Sequence, residues 1–174
     1  MPQSSAEGKP WTREQVERLA EEVGPLTVLD IGPGVGTYAK LLAGPAVAHI
    51  TGLEVWAPYV ETYRLRDHYD EIVVGDARTT PLPEVDLVVM GDVAEHMVEA
   101  EARELWRRAA AAARHAVILS IPIVHYPQGH LEGNPHEHHV EEDWDHDRVI
   151  EAFEGITDWW TGSVVGVYVR RTDQ

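Results

Sequence analysis

The chain has 174 residues, of which 44% are hydrophobic, and it carries a formal net charge of −16. This length supports one sizeable hydrophobic core but not a second domain of ordinary size, so we expect residues 11–174 to form a single domain. The acidic surplus would repel a phosphate backbone, which argues against nucleic acid as a partner. Because the sequence has no cysteine, disulfide and thiolate chemistry are excluded.

The sequence shows no segment typical of a membrane protein or a secreted one. Its longest apolar run, residues 116–124, is too short to span a bilayer. The first residues lack the apolar region of a signal peptide, and residues 1–10 are polar and predict a disordered N-terminus. We therefore expect a cytoplasmic protein without a membrane partner.

The first predicted strand ends in a run of spaced glycines. Residues 28–31 are largely apolar, as expected for a strand covered on both faces. Gly32, Gly34 and Gly36 follow, and they permit a sharp turn and the close approach of a ligand to the backbone. A helix predicted from about Gly36 to Leu42 directs its free N–H groups at this turn. The pattern predicts a turn that binds a nucleotide cofactor.

The spacing of these glycines separates two cofactor classes. The dinucleotide fingerprint requires glycine at its first, third and sixth positions, and the sixth position here is Thr37. Asp30, shortly before the first glycine, would repel a pyrophosphate but could order the ammonium group of a ligand. These residues favour S-adenosylmethionine over NAD.

The segment Asp30–Gly36 resembles the first motif of class I S-adenosylmethionine-dependent methyltransferases, and the resemblance covers roughly residues 28–120. The second predicted strand, His49–Val55, carries Glu54 near its end. In an open α/β sheet the carboxyl ends of parallel strands face the ligand crevice. The resemblance assigns the ribose hydroxyls of the cofactor to Glu54.

Two further strands end in segments that resemble the same family. The third, Glu71–Gly75, precedes Asp76 and Ala77, which the resemblance places beside the adenine. The fourth, residues 85–90, precedes Gly91–Met97, which resembles the segment beneath the reactive methyl group. There Asp92 would border the reaction centre. His96 would either line the acceptor pocket or cap the helix that follows.

An acidic residue after a strand is also common as a helix cap or turn residue. Four successive strands that each close on an acid or a glycine nevertheless favour a binding edge. Tyr38 is added because it lies in the first turn after the glycines, where its ring could stack on adenine. The predicted cofactor-binding residues are Asp30, Gly32, Gly34, Gly36, Tyr38, Glu54, Asp76 and Ala77.

The remaining segments alternate between helix and strand patterns. Helices are predicted over Trp56–Tyr69, Glu99–Arg114 and Asp143–Phe153, with a fifth strand at Ala116–Ile121. Residues 156–170 contain two strand-like runs interrupted by glycine. This order predicts an α/β fold, a doubly wound, Rossmann-like and mainly parallel sheet with an antiparallel edge strand.

The segment after the fifth strand, residues 122–147, would lie over the crevice. It holds six of the ten histidines and seven acidic residues, with no lysine or arginine. Its parts Pro122–Gly129 and Gly133–His139 resemble the corresponding loop of some small bacterial methyltransferases.

Three interpretations of these histidines remain open. His125 or His138 could act as a general base, because imidazole titrates near neutral pH. His136, His138 and Glu142 could instead bind a divalent metal such as Zn, Ni, Mn or Fe. In the third interpretation the loop is solvated and its histidines hydrogen-bond locally.

The sequence as a whole predicts an S-adenosylmethionine-dependent methyltransferase that acts on an oxygen or nitrogen of a small molecule. The predicted catalytic residues are His125, His138 and Asp92. The alternative is a non-catalytic module of the same fold that binds the cofactor or a metal. Because the chain is short for this architecture, a homodimer partner could complete the acceptor site.

Overall fold

Seven strands pair into one sheet in the computed structural model, which describes residues 5–131 and 133–172. The strands are Leu26–Ile31 (β1), Val47–Glu54 (β2), Glu71–Val74 (β3), Val85–Gly91 (β4), Ala113–Pro122 (β5), Asp158–Thr161 (β6) and Val165–Arg171 (β7). Their order across the sheet is β3-β2-β1-β4-β5-β7-β6.

The first five strands run parallel, and the last two complete the sheet in antiparallel fashion. In the centre, Leu29 of β1 pairs with Thr51 of β2 on one side and with Val88 of β4 on the other. β7 is antiparallel to both β5 and β6. The predicted fold class, a Rossmann-like sheet with an antiparallel edge, is confirmed.

Helices cover both faces of this sheet. They are Lys9–Val23 (α1), Thr37–Leu42 (α2), Ala57–Thr62 (α3), Glu99–Ala112 (α4) and His146–Ala152 (α5). Apolar side chains of α1, α2 and α3 pack into one buried cluster, and those of α4 and α5 pack into another on the opposite face. No helix in the described part of the chain combines the length and the apolar content needed to cross a bilayer.

Three helices are shorter than the sequence predicts. The helix predicted over Glu99–Arg114 ends at Ala112, because Ala113 and Arg114 already belong to β5. The segment predicted as a helix over Trp56–Tyr69 contains α3 and then a short 3₁₀ helix, Leu65–Asp67. Arg64 separates them because its φ of 52° is left-handed and ends the α-helical geometry. Similarly, α5 begins only after Asp145, whose carboxylate accepts a hydrogen bond from the backbone N–H of Arg148.

The expected disordered N-terminus needs a correction at its inner end. Residues 1–4 lie outside the described residues, but Lys9 and Pro10 already belong to α1. The carboxylate of Glu7 accepts hydrogen bonds from the hydroxyl of Ser163 and from the backbone N–H of Val164, 2.8 Å away. These contacts fix the entry to α1 against the turn between β6 and β7.

Gly91, at the end of β4, provides a test of this packing because the ring of Tyr38 lies against it. A Cβ atom added at Gly91 would lie 1.8 Å from Cε2 of Tyr38. We predict that Gly91→Ala lowers the free energy of unfolding by about 1–3 kcal/mol, as expected for overpacking. Urea denaturation followed by circular dichroism measures the change.

The matched control is Gly129→Ala, because a Cβ at Gly129 meets no atom within 4 Å. It should leave stability unchanged within about 0.5 kcal/mol. Equal stability of the two variants would contradict the described contact between Gly91 and Tyr38.

Candidate active site

A cavity of about 400 Å³ opens at the carboxyl ends of the parallel strands. Gly32 follows β1, Glu54 ends β2 and Asp92 follows β4, and all three line it. The loop after β5 covers one side through residues between Tyr126 and His139. This position matches the ligand crevice expected of an open α/β sheet.

The glycine turn forms one wall of the cavity. Gly32, Gly34 and Gly36 have φ values of 71°, 53° and 77°, which favour glycine. A Cβ at Gly32 would also lie 2.6 Å from a methyl carbon of Val93. Gly32 and Gly34 line the cavity, whereas Gly36 starts α2 and faces Leu65 beneath the turn.

Glu54 is held at the edge of the cavity by two backbone N–H groups. It is buried, and its two carboxylate oxygens accept hydrogen bonds from the backbone N–H groups of Gly34 and Trp56, at 3.2 and 2.8 Å. Burial raises the pKa of this carboxyl to about 7, although both hydrogen bonds act in the opposite direction. The side chain is therefore fixed at the edge of β2 with further acceptor capacity toward a ligand.

Asp76 and Ala77 line the cavity after β3 and are held by two arginines. The guanidinium of Arg78 hydrogen-bonds the Asp76 carboxylate and lowers its pKa. Arg108 of α4 donates to the backbone carbonyls of Ala77 and Arg78, at 2.7 and 2.8 Å. The sequence analysis missed Arg108, because its position in an ordinary amphipathic helix gives no sign of this contact.

Asp92 lies at the other end of the cavity with a left-handed φ of 55°. Its Oδ1 accepts a hydrogen bond from the hydroxyl of Ser120, 3.1 Å away, and the ammonium of Lys9 lies 3.7 Å from Oδ2. Lys9 also donates to the hydroxyl of Tyr38, at 2.7 Å. Lys9 was not predicted, since it belongs to the segment expected to be disordered.

Three side chains beside Asp92 converge at this end: Glu95, His96 and His139. All three line the cavity, and their potential ligand atoms lie within 4.8 Å of one another. Burial raises the pKa of Glu95 well above its ordinary value and lowers the pKa of His96 to about 4. Burial also lowers the pKa of His139. Both imidazoles are therefore uncharged at neutral pH.

Three residues of the predicted cofactor set lie away from the cavity. Asp30 is fully buried, and its carboxylate accepts a hydrogen bond from the hydroxyl of Tyr69. Tyr38 is buried against Gly91, and Gly36 lies under the turn. These corrections arise because Asp30 and Tyr38 point into the packed layers of the fold rather than toward the open strand ends. Gly32, Gly34, Glu54, Asp76 and Ala77 do line the cavity, as does the predicted catalytic residue Asp92.

Of the three histidines predicted as base or metal ligands, the fold brings only His136 to the cavity. His125 is exposed and pairs with Asp143, at 2.7 Å, outside the cavity lining. His138 is exposed, and its Nδ1 contacts the backbone carbonyl of Gln128 at 3.1 Å. His136 does line the cavity, and its ring centroid lies 6.1 Å from that of Trp56. Among the described residues, His136 and His138 form no ligand cluster with Glu142.

Residues 29–120, just over half of the chain, match the protein family described as "Methyltransferase domain". The chain belongs to the class I S-adenosylmethionine-dependent methyltransferases. The resemblance noted in the sequence is thereby confirmed. A comparison with curated proteins finds no significant match.

Solved structures share the fold of this methyltransferase. The N-terminal domain of EvdMO1 with SAH bound has a TM-score of 0.64 at 18% identity, over 97% of this chain and 82% of that chain. The N-methyltransferase NodS from Bradyrhizobium japonicum WM9 has a TM-score of 0.64 at 15% identity, over 98% and 99%. The cyclase SpnF has a TM-score of 0.65 at 15% identity, over 91% and 80%. At sequence identities of 15–18%, these similarities show a shared fold and nothing about substrate.

The charges that line the cavity of this methyltransferase suit a cationic cofactor. Five acidic side chains line it, whereas Arg78 is its only lysine or arginine among the described residues. S-adenosylmethionine carries both a sulfonium and an ammonium group, and carboxylates attract these cations. Because burial raises the pKa of Glu54 and Glu95, binding of such a cation would also favour loss of the protons from these two carboxyl groups. The lining acids are Glu54, Asp76, Asp92, Glu95 and Glu137.

The buried carboxyl of Asp30 makes the stability of this methyltransferase depend on pH. Burial raises its pKa from 3.8 to about 7. Between these values the folded chain binds a proton that the unfolded chain has released, so the free energy of unfolding falls as pH rises. We predict that Asp30→Asn reduces the loss of stability between about pH 5 and pH 8 by roughly 2–3 kcal/mol, because the proton is lost as pH rises to about 7.

Urea denaturation of the ligand-free protein at both pH values measures this difference. Glu54 titrates in the same window and is present in both proteins, so its own titration contributes to the pH dependence of both. A matched variant, Glu61→Gln, removes an exposed carboxyl of α3 and should retain the full pH dependence. The same pH dependence in wild type and Asp30→Asn would refute the assignment.

Proposed function

We propose that this methyltransferase transfers the methyl group of S-adenosylmethionine to an oxygen or nitrogen atom of a small molecule. The observation that carries the proposal is the placement of Glu54, buried at the end of β2 and directed at the glycine turn. In this arrangement Glu54 would accept the ribose hydroxyls. Gly32 and Gly34 would contact the amino-acid part of the cofactor, while Asp76 and Ala77 would border its adenine.

A small acceptor is supported by the size and surroundings of the cavity. Its volume of about 400 Å³ lies at the lower end of the range for small-molecule sites. The loop after β5 already occupies one side of the cavity with Tyr126, Gln128 and His139. A net charge of −16 further disfavours nucleic acid. The N-terminal domain of EvdMO1, whose structure was determined in the presence of SAH and D-fucose, gives one example of a small molecule alongside this fold.

The chemistry required of the chain is positioning and, for a hydroxyl acceptor, proton removal. S-adenosylmethionine, when bound, would supply a methyl group on a positively charged sulfur; the acceptor atom would bond to the methyl carbon as the carbon–sulfur bond breaks and S-adenosylhomocysteine leaves. Holding the acceptor in line with that methyl contributes most to the rate. His139 lines the cavity as an uncharged imidazole and would accept the proton, whereas burial lowers the pKa of His96 to about 4 and makes it the weaker base. The exposed His125 and His138 lie outside the lining. Asp92 would order the acceptor beside His96 and His139.

Two other expectations from the sequence stay predictions: a homodimer and a cytoplasmic location.

Glu54→Gln tests the cofactor site. It removes one of the two acceptor oxygens and the negative charge, and hydrogen bonds to a charged group contribute about 1.5–3 kcal/mol. We therefore predict that the dissociation constant for S-adenosylmethionine rises about 10-fold to 100-fold, measured by isothermal titration calorimetry at about pH 8. The matched control Glu61→Gln should bind like wild type.

The same preparations then test turnover. Wild-type protein is incubated with S-adenosylmethionine and a panel of small phenols, sugars and amines, and release of S-adenosylhomocysteine is measured with product mass. Methylation of one class above the acceptor-free rate supports the proposal. Tight cofactor binding without turnover of any class would favour the alternative, a non-catalytic cofactor-binding module. Unchanged cofactor affinity in Glu54→Gln would refute the assignment of Glu54.

A further inference from the structure

The group formed by Glu95, His96 and His139 combines one carboxylate with two imidazoles at the acceptor end of the cavity. Glu95 and His96 lie in a short 3₁₀ helix after β4, whereas His139 comes from the loop after β5. Their potential ligand atoms lie within 4.8 Å of one another. Two histidines and one carboxylate are a donor set that binds divalent transition metals.

The hydrogen bonds of both histidines fix their tautomers. Nδ1 of His139 lies 2.6 Å from the backbone carbonyl of Tyr126, and Nδ1 of His96 lies 3.2 Å from the backbone carbonyl of His138. Because a carbonyl oxygen only accepts, Nδ1 carries the proton in each ring. The lone pair is then on Nε2. Metal-binding histidines are commonly oriented by such a bond from the second ring nitrogen to a backbone carbonyl.

The carboxylate of Glu95 supplies an independent observation. It is 1% exposed, and neither oxygen has a hydrogen-bond partner among the described residues. A buried carboxyl without partners is costly, so a site that retains one implies a ligand for it. Oδ2 of neighbouring Asp92 likewise lacks a hydrogen bond in the described part of the chain.

The backbone ties the two ligand-bearing segments together. The carbonyl of Glu95 accepts hydrogen bonds from the N–H groups of Val140 and Glu141, at 2.8 and 3.1 Å. The rings of His96 and His139 pack edge to face with centroids 4.8 Å apart. The donors are thus held near one another by contacts that do not depend on an ion.

We propose that Glu95, His96 and His139 bind one divalent transition-metal ion. Three protein ligands leave coordination positions open toward the cavity, as in catalytic rather than structural sites. An ion there would bind an acceptor oxygen and favour its deprotonated form, a role that rests on the proposed function and that would replace proton acceptance by the two imidazoles, whose lone pairs the ion would occupy. The site differs from the one predicted from the sequence, His136, His138 and Glu142.

Metal binding is tested directly on tag-free protein that has been treated with EDTA and dialysed. Cobalt chloride, zinc chloride and manganese chloride are titrated separately by calorimetry, and the visible absorption of the cobalt form reports the ligand field. We expect one ion per chain for at least one of these metals. Glu95→Gln and His139→Ala should each weaken binding about 100-fold or more, because each removes a ligand. Circular dichroism verifies that both variants fold.

Matched controls use neighbouring histidines of the same loop. His130→Ala should bind the metal like wild type, because His130 lies outside the cavity lining. His138→Ala separates the two candidate sites, because its side chain belongs only to the site predicted from the sequence. Absence of stoichiometric binding would overturn the proposal, as would a loss in His138→Ala equal to that in His139→Ala.

The outcome is independent of the cofactor assignment, because metal is titrated without S-adenosylmethionine. Metal binding that depends on Glu95 and His139 supports the site even if the cofactor fails to bind. Conversely, cofactor binding with no metal binding overturns this inference and leaves the proposed methyl transfer in place.

Discussion

Carboxyl groups buried at the ends of the parallel strands are the constraint on which this site depends. Asp30, Glu54 and Glu95 are all buried, and burial raises the pKa of each. One oxygen of Asp30 and both oxygens of Glu95 have no hydrogen-bond partner among the described residues. Such groups cost stability when no ligand is bound. Glu95 lines the cavity, so a metal ion or another cation bound there would relieve its cost, whereas Asp30 lies away from the cavity and its cost remains.

The loop after β5 makes the acceptor end a composite of distant segments. Val140 and Glu141 bind the backbone of Glu95, and His139 packs on His96, so the loop is attached to the turn after β4. Lys9 reaches the same region from α1 and lies near Asp92. Substrate choice is therefore expected to depend on how these segments meet rather than on any one of them.

The fold could be predicted from the sequence because its signals are local. Apolar runs, the glycines after β1 and the acids after β2 and β3 each specify their own strand end. Local patterns failed where direction or distance matters: Tyr38 follows the glycines but points into the core, and His139 looks no different from His138 in sequence. The path of the loop after β5 buries His139 and leaves His138 exposed. Lys9 was not predicted for the same reason. Its partner Tyr38 lies 29 residues farther along the sequence, and Asp92 lies farther still.

The most direct test of the account is a crystal structure of the protein with S-adenosylhomocysteine. We expect the ribose hydroxyls to contact the carboxylate of Glu54, the homocysteine part to lie along Gly32 and Gly34, and the adenine to lie beside Asp76 and Ala77. The sulfur should then point toward Asp92 and the group of Glu95, His96 and His139. A ligand bound elsewhere, or bound in this cavity without contact to Glu54, would contradict the account.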